Sequence, residues 1–188
     1  MATLGELAAV CGILGTVTAT ALPLVAGLDN ARVAAAARYM ASRLAQSRTE
    51  AIARGREVAI RFVPSGDSYS FTVYVDGNHN GVLSRDILRG IDTPIHPAER
   101  LSDNFRNVIF GVQPSLPPID PGGAPPAGDP IRLGVGNSVS FSTLGTATSG
   151  TIYLTGPGGA QYAVRVVAGS AKIRVYRFVQ GTGKWLPM

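Results

Sequence analysis

The sequence predicts an α+β protein in which a long N-terminal helix, transmembrane and then amphipathic, packs on a small antiparallel β-sheet domain. Three observations predict this class. Residues 7–28 carry no charge, an Ala- and Arg-rich segment follows, and the remaining chain alternates short β-type runs with turns drawn from 23 glycines and 13 prolines. The predicted boundaries are 1–28 for the transmembrane half, 29–56 for the amphipathic half and 57–188 for a β-rich head.

The N-terminal run is long enough to form a transmembrane helix. A hydrocarbon core of ~30 Å is crossed by about 20 helical residues, and the uncharged stretch 7–28 exceeds that length. Its flanking acid, Glu6, stands where a carboxylate is costly and therefore marks a functional position. Two alternatives remain open. One is a plain anchor helix in which the acid has no role, and the other is a secretory signal, which the lack of preceding basic residues disfavours.

A second helical pattern continues over residues 29–56. Apolar residues recur there at three- and four-residue spacing on one face, and they are Val33, Ala37, Met40, Leu44 and Ala51. Six arginines occupy the other faces. Alanine is the best helix former, and Gly55 is typical of a helix C-terminus. We therefore expect an amphipathic helix whose apolar face packs on the head.

The head has the pattern of short β-strands. Residues 57–63 alternate, with Val58, Ile60 and Phe62 on one face, and a Pro- and Gly-containing turn separates them from the next run, which predicts a hairpin. The predicted strands span residues 57–63, 70–75, 107–112, 138–142, 151–155, 162–167 and 172–179. The Pro- and Gly-rich stretch 113–130 is expected to form a surface loop.

Residues 2–7, Ala-Thr-Leu-Gly-Glu-Leu, resemble the start of a mature type IV pilin or pseudopilin. Counted from Ala2, Glu6 is the fifth residue and Pro23 the twenty-second, and both placements match that superfamily. The order of a long helix followed by an all-β domain is similar to the GspH/FimT class of minor pseudopilins and minor pilins. Residues 139–154 are also similar to that class, with an aromatic strand, a glycine turn and a second strand.

The resemblance implies a structural subunit of a type II secretion pseudopilus or a type IV pilus, assembled through its N-terminal helix. The implied assembly residues are Glu6, Pro23 and Ala2. The Glu6 carboxylate would pair with the N-terminal amine of a neighbouring subunit, and Ala2 would be the methylated first residue. Because an unpaired buried charge is strongly disfavoured, such a pair would fix the axial register of the filament.

The same resemblance implies partners and a location. The partners are other pilin or pseudopilin subunits in a helical filament, the inner-membrane assembly platform and, before assembly, the lipid bilayer. The protein is expected to cross the bacterial inner membrane once, with its head outside the cytoplasm. No enzyme is expected, because His79 and His96 lie in predicted loops and the sequence shows no catalytic triad spacing or phosphate-binding loop.

Residues 76–81 match the opening of an oxygen-rich calcium loop. Side-chain ligands stand at alternate positions and glycine at the sixth, as such a loop requires. The candidate ligands are Asp76, Asn78, Asn80, the carbonyl of Val82 and Asp86. The alternative is a polar turn between strands, because Asn, Asp and Gly are the common turn residues.

The C-terminal segment is basic, with five basic residues and no acid after Gln161 in a chain of net charge +5. Some FimT-type members bind DNA through a Gly-Arg-x-Arg motif, and residues 169–174 resemble a degraded version of it. Lys172, Arg174 and Arg177 are the candidate contacts to DNA phosphates. On a strand Lys172 and Arg174 share one face and Arg177 takes the other. The alternatives are a filament contact and a solvated strand face.

Overall fold

The computed structural model describes residues 4–120, 122–134 and 136–188, with side chains described from Gly27 onward. The fold is α+β, as predicted, with an N-terminal helix packed on antiparallel sheets. Helix α1 spans Leu4–Arg54. The described part contains no helix long and apolar enough to cross a membrane. Nearly all of the predicted transmembrane segment 1–28 lies outside the residues whose side chains are described.

The predicted apolar face of α1 is confirmed. Its five predicted members are fully buried, namely Val33, Ala37, Met40, Leu44 and Ala51. Ala36 joins them at 0 % exposure. The helix ends at Arg54, and the next residue, Gly55, has a φ of +61°. That left-handed conformation costs glycine little, which is why the helix terminates there.

The first sheet is built around the predicted hairpin. Its strands are β1 (Val58–Ser65), β2 (Ser68–Val75), β3 (Thr93–Pro94), β4 (Glu99–Arg100) and β7 (Ser138–Phe141). They are ordered β3-β2-β1-β7 across the sheet, and β4 also pairs with β2. The hairpin register runs from Val58 opposite Val75 to Ser65 opposite Ser68. Gly66, at a φ of +64°, opens the two-residue turn, as hairpin turns with glycine in first position require.

The second sheet consists of β5 (Ile109–Phe110), β6 (Ile131–Arg132), β8 (Gly150–Thr155), β9 (Gln161–Val167), β10 (Lys172–Val179) and β11 (Lys184–Pro187). These strands are ordered β11-β10-β9-β8-β5 across the sheet, and β6 also pairs with β8. The predicted strand at 107–112 forms only Ile109–Phe110, because its partner β8 pairs with just those two residues. A 3₁₀ turn at Pro157–Gly159 connects β8 to β9.

Helix α1 contacts strands of both sheets, so one core joins all three layers. Phe62, Phe71 and Phe110 form its aromatic centre, with ring centroids 5.4–6.1 Å apart. Phe110 stands edge-on to the other two rings, an arrangement that aromatic quadrupoles favour. Two short helices, α2 (Ser84–Leu88) and α3 (Leu101–Asn104), lie in the connections of the head.

The segment 113–130 is irregular where it is described, as expected for a loop. It lies over the face of the second sheet that points away from α1. Trp185 of β11 donates its indole N–H to the carbonyl of Pro117 over 2.9 Å, and Leu116 is buried. We call this face of the second sheet its outer face.

Candidate functional site

The predicted assembly residues fall in the N-terminal part of the chain. Ala2 lies outside the described residues. Glu6 and Pro23 lie within the bounds of α1, but their side chains are outside the described part. Their roles in assembly therefore stay predictions. The described structure shows instead how the second half of the same helix is joined to the head.

A polar network joins α1 to the segment that carries β4. The Tyr39 hydroxyl donates to Glu99, and the Arg43 guanidinium forms an ion pair with the same carboxylate. Burial, followed by the hydrogen bond and charge of Glu99, raises the pKa of Tyr39. About two turns further along the helix, Glu50 Oε1 lies 2.9 Å from Nε2 of His96. These contacts fix the orientation of the helix relative to the first sheet.

The predicted calcium loop is a tightly hydrogen-bonded turn around Asp76, which is 3 % exposed. Its Oδ1 accepts from the backbone N–H groups of Asn78 (3.0 Å) and His79 (2.8 Å). Its Oδ2 accepts from the N–H of Gly81 over 2.9 Å. Burial raises the pKa of Asp76, but these amide donors together outweigh it and hold the pKa below its usual value. The carboxylate is therefore ionised and fixed at neutral pH.

The other predicted side-chain ligands converge on Asp86. Its Oδ2 accepts from the side-chain amides of Asn80 at 3.0 Å and Asn78 at 3.4 Å. The Asn80 amide is the largest influence on this carboxyl, and with Asn78 and Arg85 it lowers the pKa of Asp86. The structure thus brings Asp76, Asn78 and Asn80 of the loop together with Asp86 of α2 in one hydrogen-bonded cluster.

Two further carboxylates of this loop were missed from the sequence. Asp92 is 1 % exposed and accepts from the N–H groups of Gly77 at 3.0 Å and Leu83 at 2.8 Å. Glu57, just before β1, accepts from the N–H of Val82 over 3.0 Å. Neither residue stands within the spacing of a calcium motif, so only their backbone partners reveal them.

The carboxylates around the loop accept hydrogen bonds from N–H groups. No group of three or more His, Cys, Asp or Glu side chains in the described ranges is arranged to hold a metal ion. The candidate ligands are nonetheless neighbours, and a calcium site that includes the Val82 carbonyl stays a prediction. Without any metal, the hydrogen bonds accepted by these carboxylates tie the segment 76–92 to the end of the first sheet.

The candidate DNA contacts lie on β10. Arg174 stands opposite Arg165 of β9, and Lys172 stands opposite Val167. Lys172 and Arg174 are exposed on the outer face. Arg177 stands opposite Tyr162, whose hydroxyl donates to Asn30 of α1 over 3.0 Å, so Arg177 is on the face toward the helix. The three basic residues are therefore split between two faces, as strand alternation predicts.

Comparison with known proteins gives one family. The family model described as "Type II transport protein GspH" matches residues 36–171, from the buried half of α1 to the turn between β9 and β10. Among curated proteins no match was found. Among solved structures no match was found either.

We predict that Asp76→Ala lowers the free energy of unfolding at pH 7 by about 2–4 kcal/mol, because it leaves buried N–H groups without their charged acceptor. A carboxyl whose folded pKa is lowered stabilises the fold above its unfolded pKa of about 3.9, and this contribution is lost as the pH falls through the folded pKa. The variant should therefore show a weaker loss of stability below about pH 4, measured by denaturant titration of the full chain.

Asp67→Ala is the matched control, because Asp67 is an exposed acid in the β1–β2 turn. Equal losses in both variants would contradict the role of the Asp76 turn. The same melts with a calcium chelator test the metal prediction, since an ion bound only by the folded state raises the melting temperature. If the chelator lowers the melting temperature of the wild type but not that of Asp76→Ala, the result supports calcium binding. If it changes neither melting temperature, the segment is a hydrogen-bonded turn that binds no calcium.

Proposed function

Because the chain belongs to the GspH family of type II transport proteins, we propose that it is a structural subunit of a type II secretion pseudopilus, assembled through its N-terminal helix. The observation that carries the proposal is the span of the family match, which runs from residue 36 within α1 through most of the head. The family is one of structural pseudopilins, and its partners are other pseudopilins.

The division of α1 supports a role in assembly. Its second half is held by the head through the buried face and the contacts of Tyr39, Arg43 and Glu50. In the sequence of its first half, Glu6 is the one charged residue. We assign this half to the bilayer before assembly and to the filament core afterwards, where small residues allow close helix packing.

In this proposal Glu6 pairs with the N-terminal amine of a neighbouring subunit, and Ala2 is the methylated first residue. The apolar run anchors the chain in the inner membrane once, with the head outside the cytoplasm. From there the inner-membrane platform would insert the subunit into the growing filament. A type IV pilus would use the same helix in the same way, and the family match favours the secretion pseudopilus.

The alternative is a DNA-binding minor pilin. Lys172 and Arg174 favour it, because both are exposed on one face of β10. Two observations weigh against it. Arg177 lies on the opposite face, and Arg165, which would extend the basic surface, is paired with Asp120. We therefore assign Lys172 and Arg174 to a protein contact or a solvated face.

We predict that Glu6→Ala inserts into the membrane normally and is incorporated into pseudopili at least about 100-fold less, because breaking a buried ion pair costs about 3–5 kcal/mol. The measurement is the amount of tagged subunit in sheared filaments relative to the membrane fraction. Asp29→Ala is the matched control. It removes an acid from the same helix, but Asp29 pairs with Arg32, whose side chain is exposed. Filament levels of Glu6→Ala equal to those of the control would refute the proposal.

For the alternative, a mobility-shift titration of the full chain with duplex DNA at low salt is decisive. DNA binding through β10 requires a shift that the double variant Lys172→Ala with Arg174→Ala weakens for every sequence, with a salt slope reduced by about one unit per lost phosphate contact. Arg177→Ala, on the other face of the same strand, is the control. We expect no shift that depends on Lys172 and Arg174.

A further inference from the structure

Three arginines stand in one row across the outer face of the second sheet. Arg132 of β6 is opposite Thr151 of β8, Thr151 is opposite Arg165 of β9, and Arg165 is opposite Arg174 of β10. Neighbouring strands are about 4.8 Å apart, so the row extends over roughly 14 Å. Arg165 and Arg174 are directly opposite each other, and like charges in that position destabilise a sheet. An anion on this face relieves that repulsion.

A cavity of about 330 Å³ lies between part of this row and the loop 113–130. Arg132, Arg165, Tyr153, Thr151 and Asp120 are among the residues that line it. Tyr153 is 2 % exposed, burial raises its pKa, and its hydroxyl is hydrogen-bonded to the Arg132 guanidinium. The walls of the cavity thus combine two guanidinium groups with a buried, neutral tyrosine.

The two guanidinium groups are held in place by the loop. Arg132 Nη1 donates to the carbonyls of Ala124 at 2.9 Å and Pro125 at 2.8 Å. Arg165 Nη1 forms an ion pair with Asp120. A guanidinium has five N–H donors in a planar fork that matches a carboxylate, more than these contacts use. Both side chains are therefore oriented and retain donor capacity toward the cavity.

Asp120 shows which anion the site accepts. It is a carboxylate of the chain itself, it lines the cavity, and its side chain is 55 % exposed. Ion pairs exposed to that degree contribute little to stability. A carboxylate placed between Arg132 and Arg165 would gain a second guanidinium and could replace Asp120.

We propose that this cavity binds a carboxylate side chain from an acidic segment of a protein partner, in competition with Asp120. A protein partner fits better than a nucleic acid strand, because a strand needs an open groove along which successive phosphates bind. Here residues of the loop contact both Arg132 and Arg165 and so interrupt such a groove. The site is independent of assembly through the N-terminal helix, and Glu6→Ala should leave it intact.

The chain provides its own reporter for this site. Trp185 is its single tryptophan. The indole ring centroid is 5.8 Å from that of Tyr153, and the indole N–H is bonded to Pro117 in the covering loop. Displacement of Asp120 by a ligand should therefore change the tryptophan emission.

The experiment is a fluorescence titration of the full chain in a neutral detergent with a capped Ser-Glu-Glu-Glu-Ser peptide. We expect a saturable change that the corresponding Gln peptide does not produce. Arg165→Gln should weaken binding at least about tenfold, because it removes a charge-assisted hydrogen bond. Asp120→Asn should strengthen it several-fold by removing the competing carboxylate. Arg106→Gln, which removes an exposed charge outside the cavity, should bind like the wild type.

Four results would overturn the proposal: no saturable response, an equal response to the Gln peptide, equal weakening by Arg106→Gln, or unchanged affinity in Asp120→Asn. The last variant keeps the test valid if Arg165→Gln does not fold. A single-stranded oligonucleotide that binds more tightly than the Glu peptide and displaces it would assign the surface to nucleic acid instead. Failure of the Glu6→Ala assembly test would leave this titration unaffected.

Discussion

The structure depends on the packing of one helix face against two sheets. Met40, Leu44 and the small residues around them are fully buried, and the helix contacts strands of both sheets along this face. Alanines at several of these positions let the helix backbone approach the sheets closely, while Met40 and Leu44 fill the space between them. Neither sheet would have a covered inner face without the helix, so the helix and the head share one core.

Ionised side chains complete the arrangement where apolar packing ends. On the side of the first sheet, Glu99 joins Tyr39 and Arg43 of the helix to β4. At the end of the same sheet, Asp76 and Asp92 bind backbone N–H groups of a long connection that has little regular structure. Glu99 thus joins side chains of the helix to β4, whereas Asp76 and Asp92 hold backbone that forms no ladder.

The sequence predicted the features that repeat along the chain. The helix face, the hairpin and the long strands β8, β9 and β10 all follow a period of 3.6 or 2, so local pattern was sufficient. Strands of two residues, such as β3, β4 and β6, have no period and exist only through their partners. Asp92 and Glu57 were missed for the same reason, since their N–H donors are brought near by the fold. The arginine row across β6, β8, β9 and β10 likewise depends on strand register, which residue spacing does not contain.

The place of β7 in the first sheet has a consequence for the order of folding. β1 pairs on one side with β2, its neighbour in sequence, and on the other with β7, about 80 residues later. Contacts between distant residues must overcome loop-closure entropy before they stabilise anything, and they slow folding. The hairpin can form early and covers the part of the helix face that packs on β1, whereas the part that packs on the second sheet stays uncovered until β8, β9 and β10 arrive. In the export proposed above, that part of the apolar face would be exposed during translocation, and in this interval the chain would most need protection from aggregation.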